Sequence, residues 1–247
     1  MIDYGEVSII VPCRNEAENI KTLNELMNLI PDRLEIILVE GGSSDDTAAQ
    51  CQIMERKHPT NVRYLQQSKR GKMNAVLEGI MCSTRSHIAI FDADLTVSLQ
   101  DQLKLIEIYR IGEGKFFVTG NRLNKDMHSG AMQYSNMIAN YLFGLLFSVL
   151  FQKRIVDTLC GTKIFPREIF LDPRCNYLKI NDPFGDFAMI TNAWLYNLEI
   201  HSIKVEYLPR RYGVTNIRRW SSGLILMKIF LHAALRHPIK SQKNGCE

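Results

Sequence analysis

The regular alternation of short apolar runs with longer helical segments over residues 7–91 constrains the fold most strongly. The apolar runs span residues 7–11, 34–39, 62–65 and 87–91. Runs of this length, bounded by turn residues, are typical of buried strands. We predict helices to about residue 30, over 44–57 and from about residue 71. Strands that alternate with helices indicate βαβ units, so the sequence predicts an α/β fold with a mainly parallel sheet.

Two acidic residues, Asp92 and Asp94, directly follow the last of these runs. Strand side chains alternate with period two, so both carboxylates should project into one crevice. Ligands of open α/β sheets bind outside the carboxyl ends of the strands. Hard carboxylate oxygens there suit Mg²⁺ or Mn²⁺ shared with a substrate diphosphate. The alternative is a pair of loop-start aspartates, one of which caps the next helix, and so short a pattern leaves both open.

Other polar residues should meet this pair at the same edge of the sheet. Right-handed crossovers bring the carboxyl ends of the predicted strands together there. We therefore expect Arg14, Glu40 and the segment 69–72 to line the crevice. Asn15 is predicted to cap the first helix, with Glu16 in its first turn.

The charge and cysteine content narrow the class of protein. A formal net charge of +4 on 247 residues suits anionic ligands or an anionic membrane surface and does not demand nucleic acid. The six cysteines are scattered without zinc-type spacing, which is typical of reduced thiols in the cytosol. Acidic residues precede the first apolar run, so we do not expect a secretory signal peptide.

The second half of the chain is less regular and contains two apolar segments. A strand is predicted over 116–120, a helix that follows the segment 182–187 and runs to about residue 197, and a strand over 199–207. Residues 129–152 carry no formally charged side chain. Their first half is polar, so we favour a helix packed on the protein or lying at a membrane surface over a membrane span. The apolar helix Gly223–Leu235, flanked by basic residues, fits an interfacial helix on anionic lipid, with core packing as its rival.

Several motifs in order resemble one family. VSIIVPCRNEAENI, VEGGSSDDT, GKMNAV and FDADLT resemble the inverting family 2 glycosyltransferases of the GT-A fold. GNRL, DTLCGTKIF, DPFGDFAMI and RYGVTNIRRW resemble the polyprenol-phosphate sugar transferases, the group that includes dolichol-phosphate mannose synthase. The resemblance covers about residues 7–235 and implies a GT-A catalytic domain over 1–220, followed by an interfacial helix and tail over 221–247.

The resemblance also implies roles for residues on the donor side. Asp92 and Asp94 match the metal-binding acidic pair, which makes Asp94 a catalytic residue through the metal that neutralises the leaving diphosphate. Glu40 stands where the family usually has the first aspartate of an Asp-Asp-Gly-Ser turn near the base, and Gly41 stands where the second would be. The remaining expected donor contacts are Pro12, Arg14, Glu16, Arg70 and Lys72.

On the acceptor side, Asp186 resembles the acidic position where many family 2 enzymes keep a general base. A hydroxyl acceptor must lose a proton, whereas a phosphate acceptor is already an anion, so Asp186 is either a base or a positioning group. Capping of its own helix is the structural alternative. Expected phosphate contacts are Arg122, Arg210, Arg211 and Arg218, for which a solvated basic face is the alternative.

Together these observations predict a metal-dependent inverting glycosyltransferase. It would move a sugar from a nucleoside-diphosphate sugar to a polyprenol phosphate at the cytoplasmic membrane face, as a peripheral protein. A homo-oligomer or a membrane-protein partner is compatible with this reading. A transferase that acts on a soluble or protein hydroxyl, with Asp186 as base, is the alternative, and a non-catalytic nucleotide-sugar-binding protein is a further one.

Overall fold

The computed structural model of this chain describes residues 1–124, 127–128, 131–171, 184–213 and 219–236, with side chains of the last segment described over 223–235. Its centre is one seven-stranded sheet of order β3-β2-β1-β4-β6-β5-β7. The strands are β1 (Val7–Cys13), β2 (Glu35–Glu40), β3 (Val62–Gln66), β4 (His87–Ile90), β5 (Phe116–Asn121), β6 (Lys163–Pro166) and β7 (Glu199–Lys204).

Helices cover both faces of this sheet. They are α1 (Ala17–Glu25), α2 (Thr47–Lys57), α3 (Lys72–Cys82), α4 (Leu99–Ile111), α5 (Tyr134–Phe151), α6 (Glu168–Leu171), α7 (Asp186–Leu195) and α8 (Arg219–Arg236), with short 3-10 helices at Tyr4–Glu6 and Met27–Leu29. The predicted α/β architecture with a mainly parallel sheet is confirmed. The first helix ends earlier than predicted, because the 3-10 turn separates it from residue 30.

One strand was not predicted. β6 runs antiparallel to both β4 and β5, and Lys163 lies opposite Ile90 in the pairing with β4. A four-residue strand that begins with a lysine lacks the apolar run by which the other strands were recognised. Its insertion brings the segment 160–163 beside the carboxyl end of β4, where Asp92 follows.

The period-two alternation of the strands divides the interior into two cores. Ile10 and Ile37 face one core together with α3, α5, α7 and α8. Ile9 and Ile36 face the other, with α1, α2 and α4. Each fully buried isoleucine contributes about 1.5–3 kcal/mol through removal of its apolar surface from water. The sheet is therefore fixed from both sides, which makes its carboxyl edge a rigid platform.

Helix α5 is held on the protein by aromatic contacts along one side. The Phe147 ring packs edge-on against Phe187 of α7 and Phe230 of α8, with centroid distances of 4.7 and 5.3 Å. At Gly144 an added Cβ would lie 2.7 Å from the Val156 carbonyl oxygen, so only glycine permits this approach. The other side of α5 exposes large apolar side chains to solvent: Ile138, Leu142, Leu145 and Val149.

Helix α5 also passes a length and composition test for a membrane span. Among the described residues it is the one helix long and apolar enough to cross a membrane by those criteria, and 33% of it is buried inside the protein. The sequence predicts that its apolar part is too short for a membrane span, so α5 is more apolar over its length than expected. The core helix of a soluble protein passes the same test. Gly223–Leu235 is a shorter apolar segment.

Asn15 does not cap α1, contrary to prediction. The N-cap position is Glu16, which makes no capping hydrogen bond through its side chain. Asn15 has a left-handed backbone with φ of 56°, which turns its side chain away from the helix. Its Oδ1 accepts a hydrogen bond of 2.9 Å from the Ser44 backbone N–H. Asn15 thereby ties the end of β1 to the turn after β2.

Candidate active site

The acidic pair lies at the carboxyl edge of the sheet, where the sequence placed it. Asp92 is paired with Lys72, the first residue of α3, at an Nζ–Oδ1 distance of 2.5 Å. Burial acts to raise the pKa of Asp92, but the positive charges of Lys72, Arg122 and Lys163 together outweigh it, so the pKa is lowered. Burial likewise disfavours the charged form of Lys72, and Asp92 and Asp186 outweigh it, so its pKa is raised. Both groups are therefore charged at neutral pH.

Gly161 lies directly against the carboxylate of Asp92. An added Cβ at this position would overlap the carboxylate of Asp92. The segment 160–163, carried to this place by β6, therefore needs a glycine to leave the carboxylate its space. The sequence motif DTLCGTKIF contains Gly161, but no role for this residue was predicted.

Asp94 is held by two sets of donors. Its Oδ1 accepts hydrogen bonds from the backbone N–H and hydroxyl of Thr96, at 3.1 and 2.8 Å. Its Oδ2 accepts a 2.6 Å hydrogen bond from Arg210 Nη2. The capping alternative is wrong for both aspartates, because the N-cap of α4 is Ser98, whose Oγ accepts from the Asp101 N–H.

Arg210 joins this acidic pair to the end of β1. Its Nη1 donates to Glu16 Oε1 at 2.6 Å while Nη2 contacts Asp94. Burial raises the pKa of Glu16 despite this partner. Burial acts in the opposite sense on Arg210, and Asp94 and Glu16 outweigh it, so the pKa of the guanidinium is raised. The residues predicted for the donor and acceptor sides thus meet in one cluster.

The donor set of this cluster fits a hard divalent cation shared with a substrate. Among the described residues, no group of three or more His, Cys, Asp or Glu side chains is arranged to hold a metal ion. Mg²⁺ is commonly bound by one or two carboxylates, with substrate phosphates and water as the other ligands. Asp92 and Asp94 supply two carboxylates, and Gly161 keeps space beside the first of them. The residues therefore fit the cation when a diphosphate is present.

Arg122 is paired with the buried carboxylate of Asp157. Its Nε and Nη2 donate to Asp157 Oδ2 and Oδ1 at 2.8 and 3.0 Å. Asn140 of α5 also donates to Asp157 Oδ1, at 2.6 Å. Burial would raise the pKa of Asp157, but Arg122 and these hydrogen bonds hold it at about 2. The predicted phosphate contact of Arg122 stays a prediction.

Asp186 lies at the start of α7, and the capping alternative is wrong here too. The N-cap is Gly185, whose φ of 79° is left-handed. The Asp186 carboxylate is instead paired with Lys163, at an Nζ–Oδ1 distance of 2.5 Å, with both side chains buried. Sequence analysis missed Lys163 and Asp157. The available signal was a charged residue on either side of Cys160 within an otherwise apolar and small-residue stretch, 155–165.

The other predicted contacts differ in how closely they approach the site. Glu40 is buried, and its Oε1 accepts a 2.6 Å hydrogen bond from the Ser43 N–H, so it shapes the turn after β2. An added Cβ at Gly41 would lie 3.0 Å from Gln67 Oε1, so Gln67 occupies the space of the missing aspartate. Pro12 is half-buried on β1 and adjoins the cluster along the chain. The exposed residues are Arg14, Arg70 and Arg211, and Arg218 lies outside the described residues.

Residues 8–192 match the family model of Glycosyl transferase family 2. The chain belongs to this family and is a glycosyltransferase, as predicted.

Two proteins of similar sequence are also glycosyltransferases by name. The chain is 26% identical over 239 residues to Glycosyltransferase AglJ of Haloferax volcanii, an alignment that covers 94% of this chain and 74% of the relative. It is 32% identical over 183 residues to Dolichyl-phosphate beta-glucosyltransferase of Dictyostelium discoideum, covering 68% of this chain and 56% of that protein. The chain therefore matches little more than half the length of the second relative.

Solved structures confirm the GT-A type fold. Mannosyl-3-phosphoglycerate synthase from Rubrobacter xylanophilus superposes with a TM-score of 0.64 at 18% identity, covering 98% of this chain and 78% of that one. Glucosyl-3-phosphoglycerate synthase from Mycobacterium tuberculosis, in complex with Mn²⁺ and uridine diphosphate, gives a TM-score of 0.63 at 16% identity, with 96% and 81% coverage. At these identities the likeness concerns the fold alone.

Proposed function

We propose that this glycosyltransferase moves a sugar from a nucleoside-diphosphate sugar to a polyprenol phosphate at a membrane surface. The observation that carries the proposal is the connection between the charged cluster and an exposed apolar helix. Asn140 of α5 bonds to Asp157, which holds Arg122. The charge of Arg122 is one of those that lower the pKa of Asp92 despite the burial of that carboxylate. A lipid phosphate could use both parts of this site: its anionic headgroup would bind at the charged cluster, and its apolar chain would lie along α5.

On the donor side, the diphosphate would lie at the start of α3. Lys72 places an ammonium there, and the first backbone N–H groups of a helix favour anions. Asp92 and Asp94 would hold Mg²⁺ or Mn²⁺, which supplies charge neutralisation of the leaving diphosphate. The complexes of fold neighbours with Mn²⁺ and uridine diphosphate, or with Mn²⁺ and GDP-Man, support this assignment.

On the acceptor side, the charges favour an anion that needs no base. A phosphate is already ionised at neutral pH, so its attack requires orientation rather than proton removal. Arg210 offers a guanidinium, which binds phosphate through two parallel hydrogen bonds once its carboxylate partners are exchanged. Asp186 would then orient groups next to the phosphate, with its charge balanced by Lys163.

The membrane contact would come from two helices. The exposed side chains of α5 form one stripe, since Ile138, Leu142, Leu145 and Val149 recur every three or four residues. On α8, Leu231 and Leu235 are also exposed, four residues apart. An apolar helix face bordered by basic residues is typical of interfacial binding to anionic lipid. A peripheral position at the cytoplasmic face is part of the proposal, and the name of the dolichyl-phosphate relative supports the lipid-phosphate acceptor.

A hydroxyl acceptor is the second candidate. The chain is 31% identical over 207 residues to Poly-beta-1,6-N-acetyl-D-glucosamine synthase of Staphylococcus aureus strain COL, covering 82% of this chain and 48% of that protein. A 1,6 linkage between sugars requires a sugar hydroxyl as acceptor, for which Asp186 would be the base. A transfer assay with both kinds of acceptor distinguishes the two candidates.

The test is transfer from a panel of uridine- and guanosine-diphosphate sugars, with Mg²⁺ or Mn²⁺, to a polyprenyl phosphate in vesicles. We expect a lipid-linked sugar with one of the donors. Its absence, together with transfer to a soluble sugar hydroxyl, would establish the second candidate instead. Joint substitution of Asp92→Asn and Asp94→Asn should abolish transfer, whereas exposed Asp32→Asn is the matched control. Retained activity in the double variant would refute the metal role.

A further inference from the structure

A buried lysine, to which the proposed function gives only a charge-balancing role, lies beside β4, the strand that precedes the acidic pair. Lys163, the first residue of β6, is fully buried. Its ammonium donates to the Cys160 carbonyl and, at 2.5 Å, to Asp186 Oδ1. A substrate cannot reach an amine in this position. Any effect of Lys163 on the reaction must therefore act through the groups it contacts.

The antiparallel pairing of β4 and β6 decides where this ammonium lies. Lys163 is opposite Ile90, two residues before Asp92. Its charge is one of those that lower the pKa of Asp92 despite the burial of that carboxylate. Asp186 in turn acts on Lys72, across the site. The two ion pairs, Lys72–Asp92 and Lys163–Asp186, therefore interact electrostatically with each other.

The two oxygens of Asp186 have different surroundings. Oδ1 is occupied by Lys163. For Oδ2, the described part of the chain provides no hydrogen bond, and the side chain as a whole is 6% exposed. A carboxylate held at one oxygen keeps its other oxygen in a fixed orientation. A buried ion pair is weak evidence for stability, because apolar replacements are often equally stable.

We propose that Lys163 is a positioning residue that fixes the Asp186 carboxylate so that Oδ2 faces the molecule to which the sugar is transferred. The ammonium clamps Oδ1 and balances the negative charge at the start of α7. The proposal deepens the proposed function and rests on its assignment of Asp186 to the acceptor side. It predicts that Lys163 affects turnover only while Asp186 is present.

A double-mutant cycle tests this dependence. We compare Lys163→Met, Asp186→Asn and the double variant by kcat, donor KM and nucleotide-diphosphate binding. Each single substitution should lower kcat by about 10²-fold, the scale of one positioned polar group. The double variant should be no slower than Asp186→Asn alone, and binding of the nucleotide diphosphate should stay within about twofold in all three. Losses that multiply would overturn the proposal, since residues that act independently add in free energy.

A second variant keeps the test decisive if Lys163→Met does not fold. Lys163→Arg retains the positive charge while moving its donors, so kcat should fall with donor KM unchanged. Full wild-type kcat in this variant would overturn the positioning role. Exposed Lys153→Met is the control for loss of a lysine elsewhere on the chain.

The cycle is independent of which acceptor the enzyme uses. Wild-type transfer to polyprenyl phosphate reports on the proposed function, whereas the cycle compares variants on whichever acceptor the wild type glycosylates. Absence of lipid transfer with a non-additive cycle on a hydroxyl acceptor rejects the acceptor class and supports Lys163. Lipid transfer with a multiplicative cycle supports the acceptor class and overturns the role of Lys163.

Discussion

Asp157→Asn should destabilise the fold more than any other single change in a carboxylate near the site. The wild-type carboxylate is fully buried and pairs with Arg122 through both oxygens. It also accepts hydrogen bonds from Asn140 Nδ2 at 2.6 Å and the Leu159 N–H at 3.1 Å. An asparagine carries no charge and turns an NH₂ group toward donors, so Arg122 would remain buried without its counter-charge.

Two routes give the size of the effect. Breaking a buried ion pair by removing one partner costs about 3–5 kcal/mol. Independently, a folded pKa of about 2 against an ordinary value of 3.8 corresponds to about 2–3 kcal/mol at neutral pH. We therefore expect a loss of about 2–5 kcal/mol in the free energy of unfolding at pH 7.

The pH dependence has a definite sign. Because the folded pKa of Asp157 is depressed, its stabilisation is present above about pH 4 and is lost as the pH falls toward 2. The assay is urea unfolding of wild type and variant at pH 7, 4 and 3, with exposed Asp32→Asn as control. The difference between wild type and Asp157→Asn should shrink at the acidic end. A difference below about 1 kcal/mol at pH 7, or one that does not change with pH, would refute the reasoning.

Three further predictions concern the site and the exposed helix. Gly161→Ala should lower kcat at least tenfold with little change in melting temperature, because the new methyl displaces the Asp92 carboxylate; activity assays and thermal unfolding check this. Lys72→Met should raise the donor KM about tenfold, since it removes one charge-assisted contact to the diphosphate; steady-state kinetics with varied donor measure it. Joint Leu145→Ser and Val149→Ser should reduce binding to anionic vesicles in a flotation assay, because both side chains are exposed on α5.

Each of these predictions has a contradicting outcome, and the glycine substitution also has a control. Gly223→Ala meets no atom within 4 Å and should leave kcat unchanged, so equal losses in both glycine variants would remove the argument for position 161. An unchanged donor KM after Lys72→Met would argue against its diphosphate contact. Unchanged vesicle binding after the α5 substitutions would reject that helix as the membrane-facing surface. Ser148, whose hydroxyl donates to the Gly144 carbonyl, must stay intact in these variants.

The donor side of the site could be predicted because it depends on local order in the chain. Each strand of the first half carries its own apolar run, and parallel strands connected by helices place their carboxyl ends together. That rule alone predicts Asp92 and Lys72 at this edge, whereas Glu16 was expected there from the family resemblance. The resemblance to family 2 glycosyltransferases then supplied the expected chemistry, and the family match over residues 8–192 confirms the class.

The partners of these residues could not be predicted, because they come from distant parts of the chain. Arg210 reaches Glu16 across 194 positions and Asp94 across 116. The expected helix caps were wrong where a tertiary contact offered a better partner, as at Asn15 and Asp186. Arg122 was expected to bind phosphate, and its commitment to Asp157 became visible only once α5 and β5 were packed together.

By itself, the sequence determined the α/β class, the mainly parallel order of the first strands and the acidic pair at their carboxyl edge. These features follow from hydrophobic periodicity and right-handed connection, which act over tens of residues. Only the tertiary structure decided that β6 inserts antiparallel beside β4. That insertion puts Gly161 under Asp92 and Lys163 against Asp186. Such contacts depend on close packing and charge compensation between segments far apart in the chain, which no local pattern records.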